Sequence, residues 1–309
     1  MGKTMEIKEW SYEEFPDFTE NVPGAERRKT TGDEIGVQLR RDVAYACVNG
    51  VSLVLQILEP FTRNNPDGAY PCMVFVQGSA WMEQDVYRPC AMVGRLASLG
   101  FVTAVVQYRH SGIAPFPAQI QDALNAIRFL RCHGKKYHVN PEQIFVAGCS
   151  SGGHTAMFAG MTQDEGAWEK ENCYPGISAR VKGIINYYGA VDLADEEGYP
   201  STVNHQMADS PEGRLMGGVN LRENPELARK ASVTSWIVPE RKIPPVLIIH
   251  GTKERTVSVK QSVRLYRKLK ACGQEAELIL LEGADHGGAE YWTEDLCRRV
   301  ADFMRKHLG

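Results

Sequence analysis

The 309-residue sequence predicts one α/β domain, a mostly parallel, doubly wound sheet entered through an antiparallel hairpin. Three observations predict it. Short apolar runs bounded by Gly or Pro recur along the chain, as expected of parallel strands buried on both faces. Helix-length segments with apolar residues at helical spacing separate those runs. Ahead of both, two β-rich runs are broken at Asn49-Gly50, the strongest short hairpin signal.

Residues 1–41 are polar and charged, with Trp10, Tyr12, Phe15 and Phe18 as apolar anchors, and read as an N-terminal segment. The hairpin DVAYACVNGVSLVLQILEP follows. CMVFVQG, FVTAVVQY, IFVAGCS, VKGIINYYG, VLIIHG and AELILLEG then supply the strands of the sheet. Between them, FPAQIQDALNAIRFLRCHG and SVKQSVRLYRKLKACG have helical periodicity, with Gly134 and Gly273 placed as C-caps. AEYWTEDLCRRVADFMRKHL closes the chain as an amphipathic helix. Residues 162–180 and 193–241 lack strand runs and are rich in Gly, Pro, Asp, Glu and Asn. They read as excursions from the sheet, the longer one a cap insertion over a pocket.

Composition narrows the function. With 43% hydrophobic and 24% charged residues the chain can bury a sizeable core. A net charge of -3, with no basic cluster interleaved with aromatics, speaks against nucleic acid as a partner. The apolar runs are too short to span a bilayer, so no membrane partner is expected. MGKTMEIKEW has no apolar core of a secretory signal, and Glu6 breaks the myristoylation pattern. The eight cysteines, free of C-x-x-C pairs, read as reduced thiols of a cytoplasmic protein. Cys132-His133 is too little for zinc, so no metal is expected.

The chemistry concentrates in VAGCSSGGHT, Val146 to Thr155. One spacing from Gly148 is that of a phosphate-cradling loop, but His154 stands where a lysine must reach the terminal phosphates. The other, Gly148 to Gly152, is G-x-S-x-G, a strand-turn-helix elbow that presents Ser150. A serine hydroxyl is a weak nucleophile until a base takes its proton, and the base needs an acid to fix its tautomer. Glu254 follows His250 by four residues in VLIIHGTKERTV, and His286 lies in the Gly-flanked loop of LILLEGADHGG. All three sit just past strand ends, where doubly wound sheets build their sites. Asp192, after NYYGAV, is a second candidate acid. Asp285 adjoins His286 but is expected to point elsewhere, and Cys149, one residue before the elbow apex, to point into the fold. His154 reads as a helix residue packed below the elbow, and Tyr187-Tyr188 as packing.

VFVQGSAW, VVQYRHSGIAPFPAQIQDALNAIRFL, IFVAGCSSGGHTA, NYYGAVDL, PPVLIIHGTKERTV and LEGADHGG together resemble the carboxylesterase branch of the α/β-hydrolase superfamily, over roughly residues 42 to 305. The similarity is to the small acetyl and feruloyl esterase group, near hormone-sensitive-lipase-like esterases and kynurenine formamidases. It implies the α/β-hydrolase fold over 1–309 and a triad of Ser150 as nucleophile, His286 as base and Glu254 as acid. It also implies an oxyanion hole of the Ser79, Ala80 and Ser151 amides. Trp81 either lines the acyl pocket or is core, and Tyr108, Arg109 and Asp122 form a supporting hydrogen-bond framework. Two departures stand out. Gln77-Gly78-Ser79-Ala80 replaces a glycine-rich oxyanion loop, and Glu254 replaces the more frequent Asp. The implied function is serine hydrolysis of short acyl esters, such as acetyl groups on oligosaccharides, without metal or organic cofactor. The alternatives are an arylformamide hydrolase like kynurenine formamidase and a hydrolase-fold binding protein without catalysis. The expected partner is a small-molecule or oligosaccharide ester; assembly into a homo-oligomer stays open.

Overall fold

The computed structural model describes residues 7–194 and 200–309; residues 1–6 of the N-terminal segment and 195–199 of the expected cap insertion lie outside them. Eight strands form one sheet: β1 (Gly36–Val48), β2 (Val51–Phe61), β3 (Tyr70–Val76), β4 (Val102–Val106), β5 (Val139–Cys149), β6 (Ile184–Tyr187), β7 (Val246–Gly251) and β8 (Ala276–Leu281). Their spatial order is β1-β2-β4-β3-β5-β6-β7-β8. β1, β2 and β4 pair antiparallel, and every pairing from β4 through β3 to β8 is parallel. The hairpin turns at Asn49-Gly50, both in the left-handed region. Its first strand begins six residues ahead of Asp42, because Gly36–Arg40 pair with Ile57–Phe61 before a bulge between Arg40 and Val43.

Strand alternation splits the core. Val74, Val146, Ile184 and Ile248 face one side, against α2 (Ala118–His133), α3 (Ser151–Thr162) and α6 (Val259–Ala271). Phe75, Phe145, Ile185 and Leu247 face the other, against α1 (Cys90–Ala97) and α7 (Glu294–Lys306). Period-2 side chains and helices on both faces make the sheet doubly wound, with β5 central. This is the α/β-hydrolase fold that the sequence predicts.

Two helix ends behave differently. Gly273 is left-handed at φ 72°, as a C-cap glycine should be. Gly134 is not a left-handed cap. It starts a 3₁₀ turn, Gly134–Tyr137, which ends instead at His138 in the left-handed region.

The excursion at 162–180 is packed. Its 3₁₀ turn Gly166–Glu171 lays Trp168 against Phe116 and Phe158, and its Glu169 and Glu171 pair with Arg128 and Arg109 of the core. Residues 200–241 carry two short helices, α4 (Pro211–Leu215) and α5 (Pro225–Lys230). Leu215, Leu221, Ala228 and Ala231 gather around Trp81 and Val257 as a separate small cluster.

Candidate active site

Ser150 caps α3 at φ 52° and ψ -125°, a strained backbone for a residue with a side chain. The turn closes only because its flanking residues lack side chains. A Cβ on Gly148 would collide with the Gly152 carbonyl, and one on Gly152 with the Val76 carbonyl. The Ser150 amide donates to Tyr187 O at 2.9 Å, pinning the elbow to β6.

His286 Nε2 lies 2.9 Å from Ser150 Oγ, and His286 Nδ1 lies 2.8 Å from Glu254 Oε2. A carboxylate only accepts, so Nδ1 carries the proton and Nε2 offers its lone pair to the serine hydroxyl. Glu254 has a fully buried side chain, and its other oxygen accepts the Thr256 and Val257 amides at 2.7 and 3.1 Å. Tyr188 sets its ring edge-on to His286, centroids 4.9 Å apart. Beneath Glu254, buried His250 puts Nε2 against Val257 O and Nδ1 against Ser262 Oγ, and burial lowers it to about 4. A neutral ring there adds no competing charge.

The other candidates lie elsewhere. Asp192 pairs with Arg264 and meets Ser232 Oγ at 3.4 Å; it makes no hydrogen bond to His286 among the described residues. Asp285 is turned to the amide and guanidinium of Arg255. The Cys149 sulfur accepts the Gly78 amide at 3.2 Å, and burial raises its thiol away from the reactive thiolate. His154 is buried in α3 with Nε2 at 2.8 Å from Ala231 O.

The oxyanion loop requires a correction. Three backbone donors are expected, but the Ser79 amide donates to Ser151 Oγ at 2.9 Å, so it points to a side chain and not to a substrate oxygen. Among the described residues the Ala80 and Ser151 amides meet no protein acceptor. Ala80 and Trp81 both take φ 55°, where glycine is the usual occupant. Hydroxyls replace the missing glycines as the means of holding the loop. Ser79 Oγ donates to Met82 O at 2.6 Å and meets Tyr108 Oη at 2.9 Å, while Tyr108 Oη lies 3.1 Å from Gln77 O. Arg109 and Asp122 sit behind them as a buried pair at 2.8 Å.

A cavity of about 680 Å³ opens over Ser150 and His286. Trp81 lines it, yet is only 1% exposed and packs edge-on against His154 at 5.1 Å, so it is core and wall together. Val203, His205, Pro211 and Glu212 supply another wall, and Arg88, Met92 and Arg95 a third. Sequence reasoning missed these. The 3-4 spacing of Cys90, Val93, Leu96 and Ala97 carried the signal for α1, but nothing local marks Arg88, Arg95 or Glu212 as cavity residues. Among the described residues, one cluster has metal-ligand spacing: Glu275, Glu277 and His307, remote from this cavity. Lys306 Nζ lies 2.8 Å from Glu275 and already supplies a cation there.

A family model described as BD-FAE matches residues 55–269. Esterase LipC of Mycobacterium tuberculosis is 29% identical over 75% of this chain and 57% of its own, so the chain spans little more than half of that relative. A truncated carbohydrate esterase from gut microbiota superposes with a TM-score of 0.77 at 28% identity, covering 91% of this chain and 99% of that one. A bifunctional GH43-CE protein of Bacteroides eggerthii gives 0.74 at 29%, covering 91% and 39%.

Proposed function

The chain belongs to the BD-FAE family within the α/β-hydrolase superfamily, and from that premise we propose that it is a serine carboxylic-ester hydrolase acting on short acyl esters. The observation that carries the reading is the relay from buried Glu254 through His286 to Ser150, at 2.8 and 2.9 Å, under the cavity. Ser150 Oγ attacks the acyl carbon as its proton passes to His286 Nε2. Negative charge then develops on the acyl oxygen, where the Ala80 and Ser151 amides donate to it. Glu254 stays ionised and balances the imidazolium. His286 returns the proton to the leaving alcohol, a water repeats the sequence on the acyl-enzyme, and the carboxylic acid departs.

The likeness to a carbohydrate esterase and to a bifunctional GH43-CE protein supports acetylated oligosaccharides as substrates. Within the cap insertion, Val203, His205, Pro211 and Glu212 wall the cavity. Trp81, fixed in the core, limits the acyl side to short chains. No observation at the site favours a formamide over an ester. Ser150→Ala tests the reading. Turnover of an acetyl ester should fall by about a millionfold with the circular dichroism spectrum unchanged. Activity retained by that variant removes the serine assignment.

A further inference from the structure

One wall of the cavity carries two guanidinium groups that the reaction above does not use. Arg88, Ala91, Met92 and Arg95 all line it, at the i, i+3, i+4, i+7 spacing of a single helix face, and α1 begins two residues after Arg88. Cys90, Val93, Leu96 and Ala97 bury the opposite face, which fixes the basic side toward the cavity. Both arginines are exposed. Among the described residues neither has a carboxylate within 4.0 Å. Glu294, which the charge of Arg95 reaches, is held by Arg298 at 2.5 Å. Elsewhere on the cavity lining, Glu212 turns Oε1 to His205 Nδ1 at 2.7 Å, while its Oε2 is buried without a hydrogen-bond partner among the described residues. The charge of Arg88 is also felt at the Cys149 sulfur, one residue from the nucleophile. A chain of net charge -3 thus lines the cavity of its reacting serine with two guanidinium groups that have no carboxylate within 4.0 Å among the described residues.

We propose that Arg88 and Arg95 form a carboxylate subsite: the ester taken by this enzyme bears a carboxylate on the part that lies along α1. This rests on the esterase reading above. A guanidinium fork matches a planar carboxylate with two parallel hydrogen bonds, and a cavity wall of one sign draws such a substrate in. Acetylated saccharides containing sugar acids have the required chemistry: an acyl ester and a carboxylate in one molecule.

The test compares 4-acetoxybenzoate with 4-acetoxybenzamide, alike in size and leaving group but differing in charge. On the wild-type protein at low salt, kcat/KM for the anion should exceed that for the amide at least tenfold, with the ratio shrinking as salt is added. In the Arg88→Gln/Arg95→Gln double variant the ratio should fall to about one. A wild-type ratio near one, or a ratio unchanged in the double variant, overturns the subsite. A stronger preference for 4-acetoxybenzenesulfonate than for the carboxylate overturns the assignment to a carboxylate. Hydrolysis of the neutral amide, and its loss in Ser150→Ala, reports on the esterase reading separately. If neither compound is turned over, calorimetric binding of 4-acetoxybenzoate to Ser150→Ala still decides. At least tenfold weaker binding after both arginines are replaced supports the subsite, and equal binding overturns it.

Discussion

Glu254 and Asp192 are both carboxylates just past strand ends, and the difference between them is one of partners. Glu254 faces an imidazole N–H and two amides, whereas Asp192 faces the Arg264 guanidinium. Replacing each by its amide separates the roles. Gln at 254 keeps the shape but removes the charge that balances the imidazolium, and its NH₂ can hold His286 in the wrong tautomer. Turnover of an acetyl ester by Glu254→Gln should therefore fall about 10³- to 10⁴-fold, roughly 4 to 5.5 kcal/mol of barrier. Asp192→Asn should cost less than about tenfold in turnover but about 1 to 2 kcal/mol of stability, through its weakened pair with Arg264. Both variants are to be assayed on one ester and unfolded in urea. A reversed ranking in turnover makes Asp192 the acid.

The oxyanion loop and the elbow are the elements where local rules are broken. In a glycine-rich loop, backbone freedom lets the donors turn inward. Here Ser79, Ser151 and Tyr108 hold Ala80 and Trp81 in a conformation that side chains disfavour, at a cost of order 1 kcal/mol for each such residue. Ser151 Oγ is thus a positioning group for Ala80, acting through the Ser79 amide. Ser151→Ala should lower kcat roughly tenfold while leaving KM within about twofold, because a misplaced donor is felt only as charge develops on the oxygen. Ser151→Thr, which keeps the hydroxyl, should restore most of kcat. Equal loss in both variants would reduce Ser151 to packing. The same loop marks the limit of what the sequence discloses. Strand runs, the Asn49-Gly50 turn and G-x-S-x-G are legible because each depends on neighbours within a few residues. The correction at Ser79 is not, since its amide is captured by a side chain 72 positions away. Gly134 illustrates the same limit. A glycine after a helix suggests a left-handed cap, but the chain continues as a 3₁₀ turn packed against Val139. Arg88 and Arg95 become cavity residues only once β3, β5 and the residues before β7 have been brought together.

Across the whole molecule, the packing that shapes the site also sets its tolerance of acid. His154 and His250 are 1% and 0% exposed, and burial holds both at about 4 instead of the ordinary 6.5. Each ring donates from Nε2 to a backbone carbonyl, so neither has room for a hydrated cation. Between pH 6.5 and 4 the unfolded chain binds these two protons and the folded chain does not. Stability therefore rises with pH through that window and is lost as pH falls through it, by roughly 3 kcal/mol for each ring at pH 4. Asp122, raised by burial in spite of Arg109, acts in the opposite sense, its contribution being lost as pH rises. Glu171, held low by Arg109, and Asp285, held at about 2 by Arg255, extend the loss to more acid conditions, because their contributions persist until their folded carboxylates are protonated. The two histidines connect this behaviour to the site. His154 joins α3, which Ser150 caps, to Ala231 and Trp81, and His250 lies under Glu254. Charging either ring should disorganise the elbow or the acid loop before the sheet yields. Urea unfolding between pH 7 and 4.5 should show stability falling with a slope that approaches two protons taken up per chain near pH 5. His154→Phe should cut that slope by about one proton. A slope near zero, or one unchanged in the variant, would mean that these rings are protonated in the folded protein.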